Sequence, residues 1–80
     1  MPGVFRYKGI RVFFFSNEGQ PREPVHVHAQ RAQDLAKIWL YPDIAVAESY
    51  GFSSSELKEL VEVIRQNKDA IERGWHEHFG

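Results

Sequence analysis

Two histidines separated by one residue, in Glu23-Pro24-Val25-His26-Val27-His28, are the one place in this 80-residue chain where side chains able to do chemistry stand at a purposeful spacing. In an extended strand, alternate side chains leave the same face about 6.6 to 7 Å apart, which puts His26 and His28 on one face and Val25 and Val27 on the other. Two neutral imidazoles at that separation can lean onto one metal ion at roughly 2.0 to 2.1 Å. They can also serve as acid and base, because an unperturbed imidazole titrates near about 6.5. They can equally do no more than hydrogen-bond within a sheet or an interface. An acid–base pair with Arg22 or Lys37 to stabilise a developing phosphorane charge would suit an RNA-cleaving or phosphodiester-acting enzyme. A divalent metal such as zinc would need one or two further ligands beyond His26 and His28, and the chain offers His76, His78, Glu77, Glu23 and Asp34. On a helix, side chains two residues apart diverge by about 200°, so His76 and His78 could join one site only where the helix has ended. No serine or cysteine nucleophile motif and no glycine-rich phosphate loop is present, which argues against a Ser-His-Asp hydrolase.

These residues need elements to hold them. Val4 to Tyr7 and Ile10 to Phe15 flank Lys8-Gly9, which predicts a hairpin. Three consecutive phenylalanines leave an aromatic on both faces of its second strand, suiting a strand covered on both sides or one that meets a second subunit. Ser16 to Pro24 is polar and rich in breakers, hence a loop leading into the histidine strand. Ala29 to Leu35 fits either a wide turn or a short helical excursion. Lys37 to Tyr41 resumes strand character, with Ile38 and Leu40 on one face and Lys37, Trp39 and Tyr41 on the other, and Pro42 ends it. Asp43 predicts the cap of a short helix through about Tyr50, with Gly51 as its stop. Ser53-Ser54-Ser55-Glu56 is a capping box, after which Leu57, Leu60, Val61, Ile64, Ile71 and Trp75 recur at helical spacing. Asn67 and Lys68 interrupt that stripe, and Gly74 weakens the last turns by roughly 1 kcal/mol relative to alanine. Glu72 and His76, one turn apart, could hold an imidazolium, although a solvated face is the plainer reading. The expected fold is α+β: a small antiparallel sheet of three to four strands, packed by a short helix and a long C-terminal amphipathic helix.

The totals narrow the classes. Eighty residues predict a single domain over 1–80, with only about 60 to 65% of the unfolded surface buried on folding. A hydrophobic share of 42% and a formal net charge of −1 describe a globular chain and offer no general attraction for nucleic acid. A local basic patch can still form from Arg6, Lys8, Arg11, Arg22, Arg31 and Lys37. With no cysteine there is neither a disulfide framework nor a thiolate metal site. No apolar run is long enough for a signal segment or a membrane span, so a cytoplasmic protein without a membrane partner is expected. Phe13, Phe15, Trp39, Trp75 and Phe79 are the aromatics expected at a core or a binding interface. No internal repeat, low-complexity segment or linker is present.

Met1-Pro2-Gly3-Val4, Phe14-Phe15-Ser16-Asn17-Glu18, Pro24 to His28, Lys37 to Pro42, Gly51-Phe52-Ser53 and Trp75 to Gly80 together form a pattern covering nearly the whole chain. It resembles that of a family of small bacterial proteins known as domain of unknown function 4160. Two departures are Ala29, where the family usually has a valine, and Tyr41, where an acidic residue is common. The resemblance implies a bacterial source. It also implies a toxin–antitoxin-like pairing with a second small protein, since the family's genes often lie beside another small one. Two readings follow: a binding or regulatory module, forming a homodimer and pairing with that second protein, and a histidine-dependent enzyme. A metal-binding protein is a third.

Overall fold

The computed structural model describes residues 3–14 and 24–79, the side chains of Gly3, His78 and Phe79 excepted. Phe15, Arg22 and the expected loop as far as residue 23 lie outside the described residues. Strands β1 (Gly3–Tyr7) and β2 (Ile10–Phe13) form the expected hairpin. Both turn residues, Lys8 (φ 49°) and Gly9 (φ 78°), lie in the left-handed region that a two-residue hairpin of matching twist demands. Strands β3 (His26–Arg31), β4 (Asp34–Trp39) and β5 (Ala45–Tyr50) continue an antiparallel meander in the order β1-β2-β3-β4-β5. Helices α1 (Ser54–Gln66) and α2 (Lys68–Phe79) follow.

Three expectations are corrected. Among the described residues the sheet has five strands, not three or four. The short helix from Asp43 is instead β5, which pairs Leu35 with Tyr50, Ala36 with Ser49 and Lys37 with Glu48. Seven residues nucleate a helix poorly, whereas the same residues laid against β4 satisfy a row of strand N–H and C=O groups. The long helix is two helices, because Asn67 (φ −110°, ψ 16°) leaves helical geometry and donates its side-chain Nδ2 to the Val63 carbonyl at 2.8 Å. The Asn67 carbonyl then accepts from the Ile71 N–H at 3.0 Å, in the first turn of α2. The stretch after His28 is neither one wide turn nor a helix: it is strand to Arg31, a turn at Ala32-Gln33 and strand again from Asp34.

The core lies on one face of the sheet. Ile10, Val12, Val27, Ala29, Ala36, Ile38 and Leu40 are buried there with Leu60, Ile64, Ile71 and Trp75 of the helices. Val27 and Ile38 thus occupy the face that strand alternation predicts for them. At about 25 cal/mol per Å², each large side chain of this set contributes roughly 1.5–3 kcal/mol. The capping box opens α1 as expected: the Glu56 N–H donates to Ser53 Oγ at 3.2 Å and the Ser53 N–H to Glu56 Oε1 at 2.9 Å.

Two strand turns are tied to α1 by charge. Lys8 Nζ donates to Glu59 Oε1 at 2.8 Å, and the Tyr7 hydroxyl donates to the same oxygen at 2.5 Å. Arg31 bridges Glu56 at 2.6 Å and Asp34 at 3.1 Å. Among the described residues no helix is long and apolar enough to cross a membrane.

Candidate functional site

Residues directly opposed in antiparallel strands share a face, so the register alone maps the side of the sheet turned away from the helical core. One row runs Arg6, Arg11, Gln30, Leu35, Tyr50 across all five strands. The next runs Phe13, His28, Lys37, Glu48, and a third pairs His26, Trp39 and Ala45. Both histidines stand on this face with their ring centroids 5.3 Å apart.

Burial divides the pair. His26 has no exposed surface: its ring sits edge-on to Trp39 at 5.2 Å and against Trp75 at 5.3 Å. Its Nδ1 lies 2.8 Å from the Pro24 carbonyl, which can only accept, so Nδ1 carries the proton and donates. A neutral His26 therefore keeps its lone pair on Nε2. His28 is half-buried, tilted against Phe13 at 5.7 Å, and lines a shallow groove with Leu35, Ala36, Lys37, Glu48 and Tyr50. Lys37 caps the Trp39 ring at 4.5 Å. The expected acid–base pair is thus one surface histidine supported by one interior histidine. The expected helper Lys37 is directly opposed to His28, and Arg22 is outside the described residues.

Of the expected interface aromatics, Phe13 is buried on this face, Trp39 is half-buried, and Trp75 belongs to the core, packing edge-on to Phe14 at 5.5 Å. Trp75 also carries the C-terminal helix to the histidine strand. Of the remaining candidate ligands, His76 and Glu77 are exposed on α2 and Asp34 is bridged by Arg31, while Glu23 and the His78 side chain lie outside the described residues. Among the described residues no three His, Asp or Glu side chains gather as a metal site would need.

Sequence reasoning missed Leu35, Glu48 and Tyr50. Leu35 continues the alternation of Lys37 and Trp39 toward the start of β4, a signal that was there to extend. Glu48 and Tyr50 were concealed by the apparent helix. Both glutamates that hold the turns, Glu56 and Glu59, have their carboxyl pKa lowered. For Glu56 the main cause is the Ser53 N–H, then Arg31; for Glu59 it is Lys8, then Tyr7.

These features define a small α+β protein whose antiparallel sheet is packed by helices on one side and carries His28, Trp39 and cations on the other, with Trp75 of α2 reaching the buried His26 at the start of β3. The chain belongs to the family described as Domain of unknown function (DUF4160), which it matches over residues 9–76. No curated protein and no solved structure matches it.

Proposed function

We propose that this protein is a binding module of a two-protein regulatory pair of the toxin–antitoxin kind, acting in the cytoplasm, and that it docks the second protein on the β4–β5 end of the sheet face opposite the core. One observation carries the reading. Leu35 is 39% and Tyr50 67% exposed, side by side in register, over the groove that His28, Lys37 and Glu48 share. A large apolar pair left in water at a groove is what a protein interface uses as its central anchor. Beside it β5 is an edge strand with five of its six residues exposed, leaving outward N–H and C=O groups for an extended segment of the partner. His28 and Lys37 on one wall and Glu48 on the other supply polar selectivity.

The test is co-expression with the product of the neighbouring gene and titration calorimetry of the purified pair. Leu35→Asp and Tyr50→Ala should each weaken the complex about tenfold or more, while Lys58→Gln on the helical side leaves it unchanged. Absence of a complex, or a dimer of this chain broken by the same two substitutions, would contradict the proposal; the second result would give the face to another copy.

A histidine-dependent enzyme is the second reading, and one observation favours it: His26, its Nδ1 held by Pro24, directs Nε2 away from that carbonyl beside a surface His28. In that reading His28→Ala abolishes RNA turnover while His28→Gln does not restore it. Unchanged turnover removes the reading.

A further inference from the structure

The two arginines of the five-residue row are directly opposed, Arg6 on β1 and Arg11 on β2. Like charges in that position repel. Neither has a carboxylate partner among the described residues, in contrast to Lys8, Arg31 and Arg65, each of which does. Arg6 is exposed. Arg11 sits over Phe13, its guanidinium carbon 4.4 Å from the ring centroid, and its NH2 group donates to Gln30 Oε1 at 3.4 Å. That bond leaves the Gln30 NH2 to donate outward. The strand rows of this face hold Arg6, Arg11 and Lys37 against a single carboxylate, Glu48, although the chain as a whole carries a net charge of −1.

We propose that Arg6, Arg11 and Gln30 form a binding site for the phosphodiester backbone of single-stranded nucleic acid. Two arginines at directly opposed strand positions, neither with a carboxylate partner among the described residues, can each turn a guanidinium fork to the two free oxygens of one bridging phosphate, which would relieve their repulsion. The Phe13–Arg11 stack presents the outer guanidinium face to an unpaired base, and the Gln30 amide can donate to that base's edge. A flat sheet face admits splayed bases, which double-stranded RNA does not offer. The site adjoins the Leu35–Tyr50 groove, Gln30 being opposed to Leu35, but shares no residue with it and does not depend on the partner proposed there; different substitutions test the two, so either can fail alone.

The experiment is fluorescence anisotropy of a labelled 12-nucleotide single-stranded RNA with the full chain at about 50 mM salt. Wild type should bind, with affinity falling as salt rises by a log–log slope of about −0.7 for each phosphate contacted. Arg6→Gln/Arg11→Gln should bind about tenfold or more weakly, and Arg6→Lys/Arg11→Lys, which keeps charge but not the fork, should lie between. Lys58→Gln/Arg73→Gln removes the same charge from exposed positions of the helices and should bind as wild type does. Equal losses in the two glutamine double variants would overturn the site in favour of general charge attraction. Competition by polyglutamate as effective as by polyuridylate would overturn it in favour of an acidic peptide. Thermal melting provides the second readout: relief of the opposed charges should leave the Arg6→Gln/Arg11→Gln variant at or above the wild-type Tm. A clear drop would make the arginines structural and contradict the proposal.

Discussion

At the scale of single residues, the histidine strand shows one pattern carrying two roles. His26 is wholly buried between Trp39 and Trp75, whereas His28 keeps part of its ring at the groove. His26→Ala removes a packed ring and leaves the Pro24 carbonyl without its donor, so it should cost about 2–4 kcal/mol in urea unfolding. His28→Ala should cost less than about 1 kcal/mol. Equal costs would contradict the division. That both rings share a face was legible in the sequence, because alternation along a strand is local. That one is sealed was not, because the sealing ring, Trp75, arrives from the last helix. Backbone geometry gives a second case. Ala32 turns at φ 53°, where an L side chain is strained, and an Ala-Gln pair carries no turn signal, which is why the stretch after His28 could not be assigned. Ala32→Gly should raise stability by about 0.5–1 kcal/mol. Gly51 is the converse: at φ 89° its added Cβ would stand 2.1 Å from Asp34 Oδ1, so Gly51→Ala should destabilise, and adding Asp34→Ala should recover only the part due to the clash.

Elements differ in how plainly they were written. The first hairpin and the start of α1 were legible because a left-handed turn and a capping box are fixed by neighbouring residues. The fifth strand was not: Asp43 and Gly51 resemble a helix cap and stop, and only the open edge of β4 decides the matter. Gly74 looked like a weak point in a helix. Its place in the structure supplies a reason, since a Cβ there would come within 3.2 Å of the Phe14 ring, so Gly74→Ala should not give the gain of about 1 kcal/mol expected at an exposed helical site. The docking of α1 on the two strand turns is pH-dependent. Glu56 and Glu59 titrate below the ordinary carboxylate value in the folded protein, so the unfolded chain binds protons more readily than the folded one. Their contribution is therefore complete above the unfolded carboxylate pKa of about 4.3 and is lost as the pH falls through and below it. Urea midpoints should drop between about pH 5 and pH 3, and the drop should be shallower in Glu56→Gln/Glu59→Gln. An unchanged slope would show that the clamps do not hold in solution.

For the whole molecule, the governing feature is a sheet with two unlike faces. The helices cover one with aliphatic side chains, while the other grades from paired arginines at β1–β2, through the histidines, to an exposed leucine and tyrosine at β4–β5. A net charge of −1 concealed that gradient, because the acidic residues are concentrated on the helices. Family membership rests on the match over residues 9–76, yet a family without an assigned activity leaves function to the geometry of the face. The most direct test of the docking proposal is amide hydrogen exchange of this protein with and without the neighbouring gene's product. The account predicts new protection in β5 and along Leu35 to Lys37, with α1 and α2 unchanged. Protection confined to the helices would contradict it.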